Sequence, residues 1–178
     1  MTTKNTKGLI QVFTGIGKGK TTAALGTVLR AAGHGFKISI IFFIKGRSSQ
    51  GEYKTLATLP NVNVKSFGLR HFIHKNDVIN PEEKAQAQAA LTAAREDITG
   101  GKFDLVVLDE INVAVYFKLL EADDVIRLIK DKPPRVELIL TGRNAHKNII
   151  AAADLVTEMV NIKHPFEKGI KARKGIEF

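Results

Sequence analysis

A segment rich in glycine and lysine, between a predicted strand and a predicted helix, constrains the fold of this chain more than any other feature. The segment reads GIGKGKTT over residues 15–22, with glycine at every second position of its first half. Glycine permits positive φ angles and close backbone approach, so successive amide groups can surround phosphate oxygens at the N-terminus of the following helix. We therefore expect an α/β fold in which this loop binds a polyphosphate.

The residue types in the loop suit a nucleotide and its metal ion. Lys20 is placed to reach phosphate oxygens, and the hydroxyl of Thr21 to bind Mg²⁺. Lys18 has two interpretations, a second phosphate contact or a solvated loop cation. The strict pattern has glycine at position 14, where this chain has threonine. The predicted phosphate-binding residues are Gly15, Ile16, Gly17, Lys18, Gly19, Lys20, Thr21 and Thr22.

Extended apolar runs alternate with helical patterns along the chain, which is typical of βαβ units. We predict a P-loop NTPase fold of the RecA-like type: an open, mostly parallel sheet of about six strands, with helices on both faces. The predicted strands span residues 8–14, 36–44, 62–67, 103–108, 136–140 and 155–160. The predicted helices span residues 21–32, 52–59, 81–99, 111–131 with a break near 121, and 146–153. We expect one domain over residues 1–178, with residues 164–178 as a C-terminal tail that is ordered only where it lies on the rest of the protein.

Two acidic residues after a buried strand supply the second half of the predicted site. Asp109 and Glu110 follow four apolar residues at 105–108. Ligands of open α/β sheets bind at the carboxyl ends of the strands, and this pattern has the form of a magnesium-binding Walker B strand. We therefore expect Thr21, Asp109 and Glu110 to be the metal-site residues. Glu110 either joins Asp109 at the metal or polarises a water molecule, and the sequence leaves this choice open.

The next buried strand ends in the sequence TGRN at residues 141–144, at the same edge of the predicted sheet. Thr141 is placed to sense a phosphate, and Arg143 to neutralise charge on a leaving group. The alternative is a glycine turn with a solvated arginine. His71 and His74 have a spacing found in metal sites, but no third ligand stands nearby, so we interpret them as loop histidines.

The net charge of +9 raises the alternative of a nucleic-acid-binding protein. The excess lies mostly in residues 1–60, which hold nine Lys or Arg and one acidic residue. Two of these cations, Lys18 and Lys20, belong to the phosphate-binding loop, so part of the excess serves a small polyanionic ligand. We expect no nucleic-acid partner.

Composition excludes several other classes of protein. The chain has no cysteine, which excludes disulfides, thiolate metal sites and iron–sulfur clusters. The apolar run at residues 36–44 is too short to span a membrane. The first eight residues, MTTKNTKG, lack the apolar region of a secretory signal. We expect a cytoplasmic protein with no membrane partner.

The loop, the acidic strand and the TGRN turn together resemble those of the ATP:corrinoid adenosyltransferases, a family of P-loop proteins. The resemblance covers nearly the whole chain and extends to ADLVTE at 153–158, KHPF at 163–166 and GIEF at 175–178. It implies transfer of the 5′-deoxyadenosyl group of ATP to Co(I) of a corrinoid, with triphosphate leaving. It also implies Mg²⁺ as cofactor, ATP bound in reversed orientation, and Lys20 and Arg143 as catalytic residues.

Members of that family carry aromatic residues after the third strand, which help to strip the lower ligand from cobalt. This chain has no tryptophan, and the resemblance implies Phe72 as the catalytic residue for that step, with His71 as the less favoured candidate. The alternative is a loop aromatic folded onto the core. Co(II) must first be reduced, so an external reductant such as a reduced flavoprotein is implied. The other expected partners are ATP, the corrinoid and a second copy of the chain in a homodimer.

Two other functions stay open on the sequence alone. A RecA-like ATPase stimulated by nucleic acid is suggested by Glu110 beside Asp109 and by the positive net charge. A nucleotide-binding or corrinoid-carrying module would use the same loop without turnover. We favour the adenosyltransferase because the loop, the acidic strand and the tail occur together.

Overall fold

The computed structural model describes residues 7–44, 46, 51–69 and 79–177. Within these residues, six strands form one sheet in the order β3-β2-β4-β5-β1-β6, and every neighbouring pair is parallel. The strands are β1 (Ile10–Thr14), β2 (Ile38–Phe42), β3 (Val62–Ser66), β4 (Leu105–Asp109), β5 (Glu137–Thr141) and β6 (Leu155–Glu158). The helices are α1 (Lys20–Gly33), α2 (Gly51–Leu56), α3 (Pro81–Thr99), α4 (Ile111–Tyr116), α5 (Ala122–Lys130) and α6 (Lys147–Ala152), followed by a 3₁₀ turn at Pro165–Lys168.

The predicted fold class is confirmed, with differences at the ends of the elements. The strand predicted over residues 36–44 is shorter in the structure, where β2 spans Ile38–Phe42. The helical pattern at 111–131 divides into α4 and α5, and Lys118 between them has φ 57°. A positive φ at a non-glycine residue ends α4 a few residues before the break that the sequence predicted.

Alternating side chains of the strands pack on opposite faces of the sheet. In β4, Val106 and Leu108 belong to the core under α3 to α6, whereas Leu105 and Val107 belong to the core under α1 and α2. Every residue of β4 is buried. This is the pattern of a central parallel strand covered on both faces, and it explains the nearly continuous apolar run in the sequence.

The order of the strands determines where the site lies. β4, β5 and β1 are neighbours, and their register pairs Leu108 with Leu140 and Phe13 with Thr141. The loop after β1, the acidic pair at the end of β4 and the turn after β5 therefore lie at one edge of the sheet. This is the edge at which open parallel sheets bind their ligands. Among the described residues, no helix is both long enough and apolar enough to cross a membrane.

Candidate active site at the phosphate-binding loop

Backbone contacts hold the phosphate-binding loop, residues 15–22, against the end of β6. The amide of Met159 donates to the carbonyl of Thr14 at 2.8 Å, and the amide of Gly17 donates to the carbonyl of Met159 at 2.7 Å. Gly15 has φ 93°, and a Cβ built on it would lie 2.4 Å from the oxygen of Met159. A Cβ on Gly17 would lie 2.7 Å from the oxygen of Val160. Both glycines are therefore required by the path of the loop.

Thr14 stands where the strict loop pattern has glycine. It is the last residue of β1 and is buried. Its hydroxyl accepts a hydrogen bond from the amide of Ala145 at 3.2 Å. The side chain thus ties the start of the loop to the turn that follows β5. The departure from the pattern lies in the strand and leaves the glycines that face β6 in place.

The N-terminus of α1 has neither a side-chain cap nor an acidic residue in its first turn. Gly19 precedes the helix and offers no side chain to cap it. In contrast, Asn80 and Glu83 cap α3 by reciprocal hydrogen bonds. The first amide groups of an uncapped helix, together with its dipole, favour a bound anion. In the same loop, the side chain of Ile16 is 64% exposed.

Lys20 lies under the loop rather than in solvent. Its side chain is buried, and its Nζ donates to the carbonyl oxygens of Gly15 at 2.8 Å and Gly17 at 2.7 Å. The ammonium group thus fixes the shape of the loop from inside. The sequence predicts that Lys20 reaches phosphate oxygens, but nothing in the sequence indicated that its side chain is buried.

The electrostatic environment of Lys20 includes the other charged candidates. Burial is the largest influence on the pKa of Lys20 and lowers it. The charge of Glu110 opposes this shift, that of Arg143 adds to it, and that of Asp109 again opposes it. These three groups, which lie at the ends of β4 and β5, therefore act on one ammonium group. Arg143 itself is exposed in the turn after β5.

The carboxylate of Asp109 joins the three parts of the site. Its Oδ1 accepts hydrogen bonds from the hydroxyl of Thr21 at 2.8 Å and from that of Thr141 at 2.7 Å. The hydroxyl of Thr141 also accepts from the amide of Glu110 at 3.0 Å. Thr141, which the sequence suggested as a phosphate sensor, is wholly buried, and its hydroxyl positions the carboxylate of Asp109. The structure thus brings the loop, the acidic strand and the TGRN turn into direct contact.

Glu110 has a left-handed backbone conformation that the sequence did not indicate. Its φ is 64° and its ψ is 17°, immediately before the first residue of α4. Such a conformation is unfavourable for a residue with a Cβ and is concentrated at functional sites. The hydrogen bond from its amide to Thr141 holds it there. This left-handed conformation sets the direction in which the chain leaves Asp109 and enters α4.

The oxygen atoms around Asp109 suit Mg²⁺. A carboxylate and a threonine hydroxyl are hard oxygen donors, and Mg²⁺ is usually bound by one or two carboxylates together with substrate phosphates. Among the described residues, no group of three or more His, Asp or Glu could hold a metal ion without such help. Thr21 and Asp109 therefore fit the protein's share of a magnesium–nucleotide site.

Lys18 contacts the C-terminal tail. Its Nζ lies 3.0 Å from Oε1 of Glu177 and donates to the carbonyl oxygen of Ile176 at 3.3 Å. In this structure the lysine is therefore paired with an anion of the chain itself. Phe72, His71 and His74 lie outside the described residues.

The chain matches known proteins along nearly its whole length. The family model described as ATP:corrinoid adenosyltransferase BtuR/CobO/CobP matches residues 6–178. A corrinoid adenosyltransferase of Sinorhizobium sp. is 39% identical over 97% of this chain and 81% of its own length. The corrinoid adenosyltransferases of Pseudomonas aeruginosa and Escherichia coli K12 are 39% and 36% identical, over 98% and 97% of this chain and 86% of their own lengths.

A solved structure supports the fold independently. The KaiC-like protein PH0186 of Pyrococcus horikoshii aligns with a TM-score of 0.57 over 85% of this chain and 72% of its own. Because the sequence identity is 16%, this likeness shows the α/β P-loop fold and nothing more. The specific relationship is carried by the family match and by the three enzymes, which are 36% to 39% identical to this chain over the aligned residues. The chain therefore belongs to the ATP:corrinoid adenosyltransferase family, the ATP-dependent enzymes that adenosylate corrinoids.

Proposed function

We propose that the phosphate-binding loop holds the magnesium-bound triphosphate of ATP, so that C5′ of the ribose faces Co(I) of the corrinoid. The observation that carries this proposal is the hydrogen bond between Thr21 and Asp109, at the uncapped N-terminus of α1. It joins the loop residue and the strand residue that suit the metal ion of a bound nucleotide.

The reaction requires the protein only to position the substrates and to stabilise charge on the leaving group. Co(I) attacks C5′ with its electron pair, a Co–C5′ bond forms, and the C5′–O5′ bond breaks with its electrons leaving on triphosphate. Cobalt passes from the +1 to the +3 state. The substrate itself is the nucleophile, so no serine, cysteine or histidine base is required. The enzyme's work is to hold C5′ in line and to stabilise the departing charge.

Several groups of the site suit that work. The loop amides and the ammonium groups of Lys20 and Lys18 are donors to the triphosphate, and Arg143 neutralises charge that develops on it. Thr21 and Asp109 would hold Mg²⁺, with Glu110 beside them. When bound, the ion neutralises part of the triphosphate charge. The reversed orientation of ATP puts triphosphate, rather than a terminal phosphate, in the position of the leaving group.

Other parts of the proposal concern partners and location. The chain has no cysteine, so reduction of Co(II) to Co(I) calls for an external donor, for which a reduced flavoprotein is suited. Lys18 and Lys20 belong to the phosphate-binding loop, so we assign part of the chain's positive charge to the binding of triphosphate and not to the binding of nucleic acid. We further propose that the enzyme acts in the cytoplasm as a homodimer.

An anaerobic assay with ATP, Mg²⁺, a chemical reductant and cobalamin in the Co(I) state tests this proposal. The expected result is formation of adenosylcobalamin. The product is detected by its absorbance spectrum and identified by the breakdown of adenosylcobalamin on exposure to light. Folded protein that forms no adenosylcobalamin would contradict the proposal. ATP hydrolysis that requires added DNA or RNA would instead favour the nucleic-acid-stimulated ATPase.

Phe72 remains the candidate for removing the lower ligand of cobalt. It follows β3, whose carboxyl end lies at the same edge of the sheet as the phosphate-binding loop. Phe72→Ala should slow the reaction that starts from Co(II) plus reductant by about tenfold or more, and the reaction of preformed Co(I) much less. The rate with preformed Co(I) serves as the control for the rate with Co(II) plus reductant, because both are measured on the same variant. Equal losses in both assays would remove the ligand-displacing role.

A further inference from the structure

The C-terminal turn, residues 173–177, carries a second cation to the phosphate-binding loop. Nη2 of Arg173 lies 3.0 Å from Oε1 of Glu177, and its Nε lies 3.2 Å from Oε2. Nζ of Lys18 lies 3.0 Å from the same Oε1. Two cations from opposite ends of the chain therefore converge on one carboxylate oxygen.

The turn keeps its shape through its own hydrogen bonds. The amide of Glu177 donates to the carbonyl oxygen of Arg173 at 2.9 Å, and the amide of Arg173 donates to Oε2 of Glu177 at 2.7 Å. Hydrogen bonds from Arg173, and then from Lys18, lower the pKa of Glu177 to about 2. Its carboxylate is consequently charged at every pH at which an enzyme of this kind would be assayed.

The arrangement has the chemistry of an anion site that the chain fills itself. Lys18 and Arg173 repel each other unless a negative charge lies between them, and the carboxylate of Glu177 supplies that charge. A phosphate oxygen is an acceptor of the same kind, and a guanidinium group binds carboxylate and phosphate with the same fork of donors. Lys18 is also part of the loop to which the triphosphate of ATP is assigned.

We propose that Arg173 is a further triphosphate-binding residue, and that the carboxylate of Glu177 occupies the position of a phosphate group until ATP displaces it. This inference rests on the proposed binding of triphosphate by the loop. The inference gives a role to the C-terminal tail, residues 164–178, because the turn places one more positive charge beside the leaving group. It also makes Glu177 a competitor of the nucleotide for Lys18.

Binding of magnesium tripolyphosphate to the full chain, measured by titration calorimetry at fixed ionic strength, tests the inference without any corrinoid. Arg173→Gln should weaken binding about fivefold, the scale expected for an exposed charge-assisted contact. Arg173→Lys should recover part of this loss, because it keeps the charge but not the fork of donors. Glu177→Gln should strengthen binding by a similar factor, because the competing charge is removed. Lys174→Gln is the matched control: it removes one cation from the same turn and should change affinity less than twofold.

The outcomes separate this inference from the function on which it rests. If Arg173→Gln and Lys174→Gln changed the affinity equally, Arg173 would act only through its long-range charge and not through a contact, and the inference would be overturned. Unchanged or weaker binding of tripolyphosphate by Glu177→Gln would show that the carboxylate of Glu177 does not compete with phosphate, and this part of the inference would be overturned. If tripolyphosphate binding depends on Lys20 but not on Arg173, the loop keeps its proposed function and only the inference fails. If the wild-type chain binds no tripolyphosphate, both fail. Circular dichroism of each variant confirms that the fold is intact.

Discussion

Lys20→Ala is expected to lower kcat/KM for adenosyl transfer by about 100- to 1,000-fold, the cost of removing one buried donor that stabilises a developing negative charge. The ammonium group of Lys20 lies beneath the loop, between the carbonyl oxygens of Gly15 and Gly17. The variant loses a positive charge at the site of the triphosphate and also the internal support of the loop. Steady-state kinetics with preformed Co(I) measure the effect on transfer without the reduction step.

Stability must be measured beside activity, because Lys20 is buried. Loss of its two hydrogen bonds should lower the free energy of unfolding by about 1–2 kcal/mol, leaving most of the protein folded. Lys102→Ala is a suitable control, since Lys102 is exposed just before β4, far from the carboxyl edge of the sheet. Urea unfolding curves of both variants separate the two effects. A Lys20→Ala enzyme with wild-type kinetics would refute the catalytic role of this lysine.

Asp109→Asn should lower activity by about 10- to 100-fold and shift its dependence on Mg²⁺ to higher concentration. Asparagine keeps an oxygen that can accept from the hydroxyls of Thr21 and Thr141, so the local hydrogen bonds survive while the charge is lost. The measurement is the rate of transfer as a function of Mg²⁺ at saturating ATP. Raised Mg²⁺ should restore part of the activity.

Asp123→Asn is the matched control for this experiment. Asp123 is exposed in the first turn of α5, so the substitution removes the same charge away from the loop. Its Mg²⁺ dependence should equal that of the wild type. If Asp109→Asn also left the Mg²⁺ dependence unchanged and only slowed turnover, Asp109 would support the loop without taking part in metal binding.

Local patterns explain why so much of the fold could be predicted from the sequence. The glycine loop, the apolar run ending at Leu108 and the capped start of α3 are each encoded by neighbouring residues. Because parallel strands end at a common edge, the meeting of Asp109 with the loop followed from the strand assignments alone. The order of the strands, which makes β5 the neighbour of both β1 and β4, was not predicted.

The details that the sequence did not reveal depend on contacts between distant residues. The burial of Lys20 depends on the curvature of the loop against Met159. The hydrogen bond from Thr141 to Asp109 depends on the register of β4 and β5. The convergence of Lys18 and Arg173 on Glu177 brings together the two ends of the chain. No pattern within a window of neighbouring residues carries this information.

The identity of the phosphate product tests the central claim most directly. In an anaerobic reaction with ATP, Mg²⁺ and Co(I)-cobalamin, the claim predicts one triphosphate for each adenosylcobalamin formed, resolved by ³¹P NMR or ion-exchange chromatography. Recovery of ADP and orthophosphate in place of triphosphate would contradict it, because the loop would then hold ATP for attack at its terminal phosphate and not at C5′.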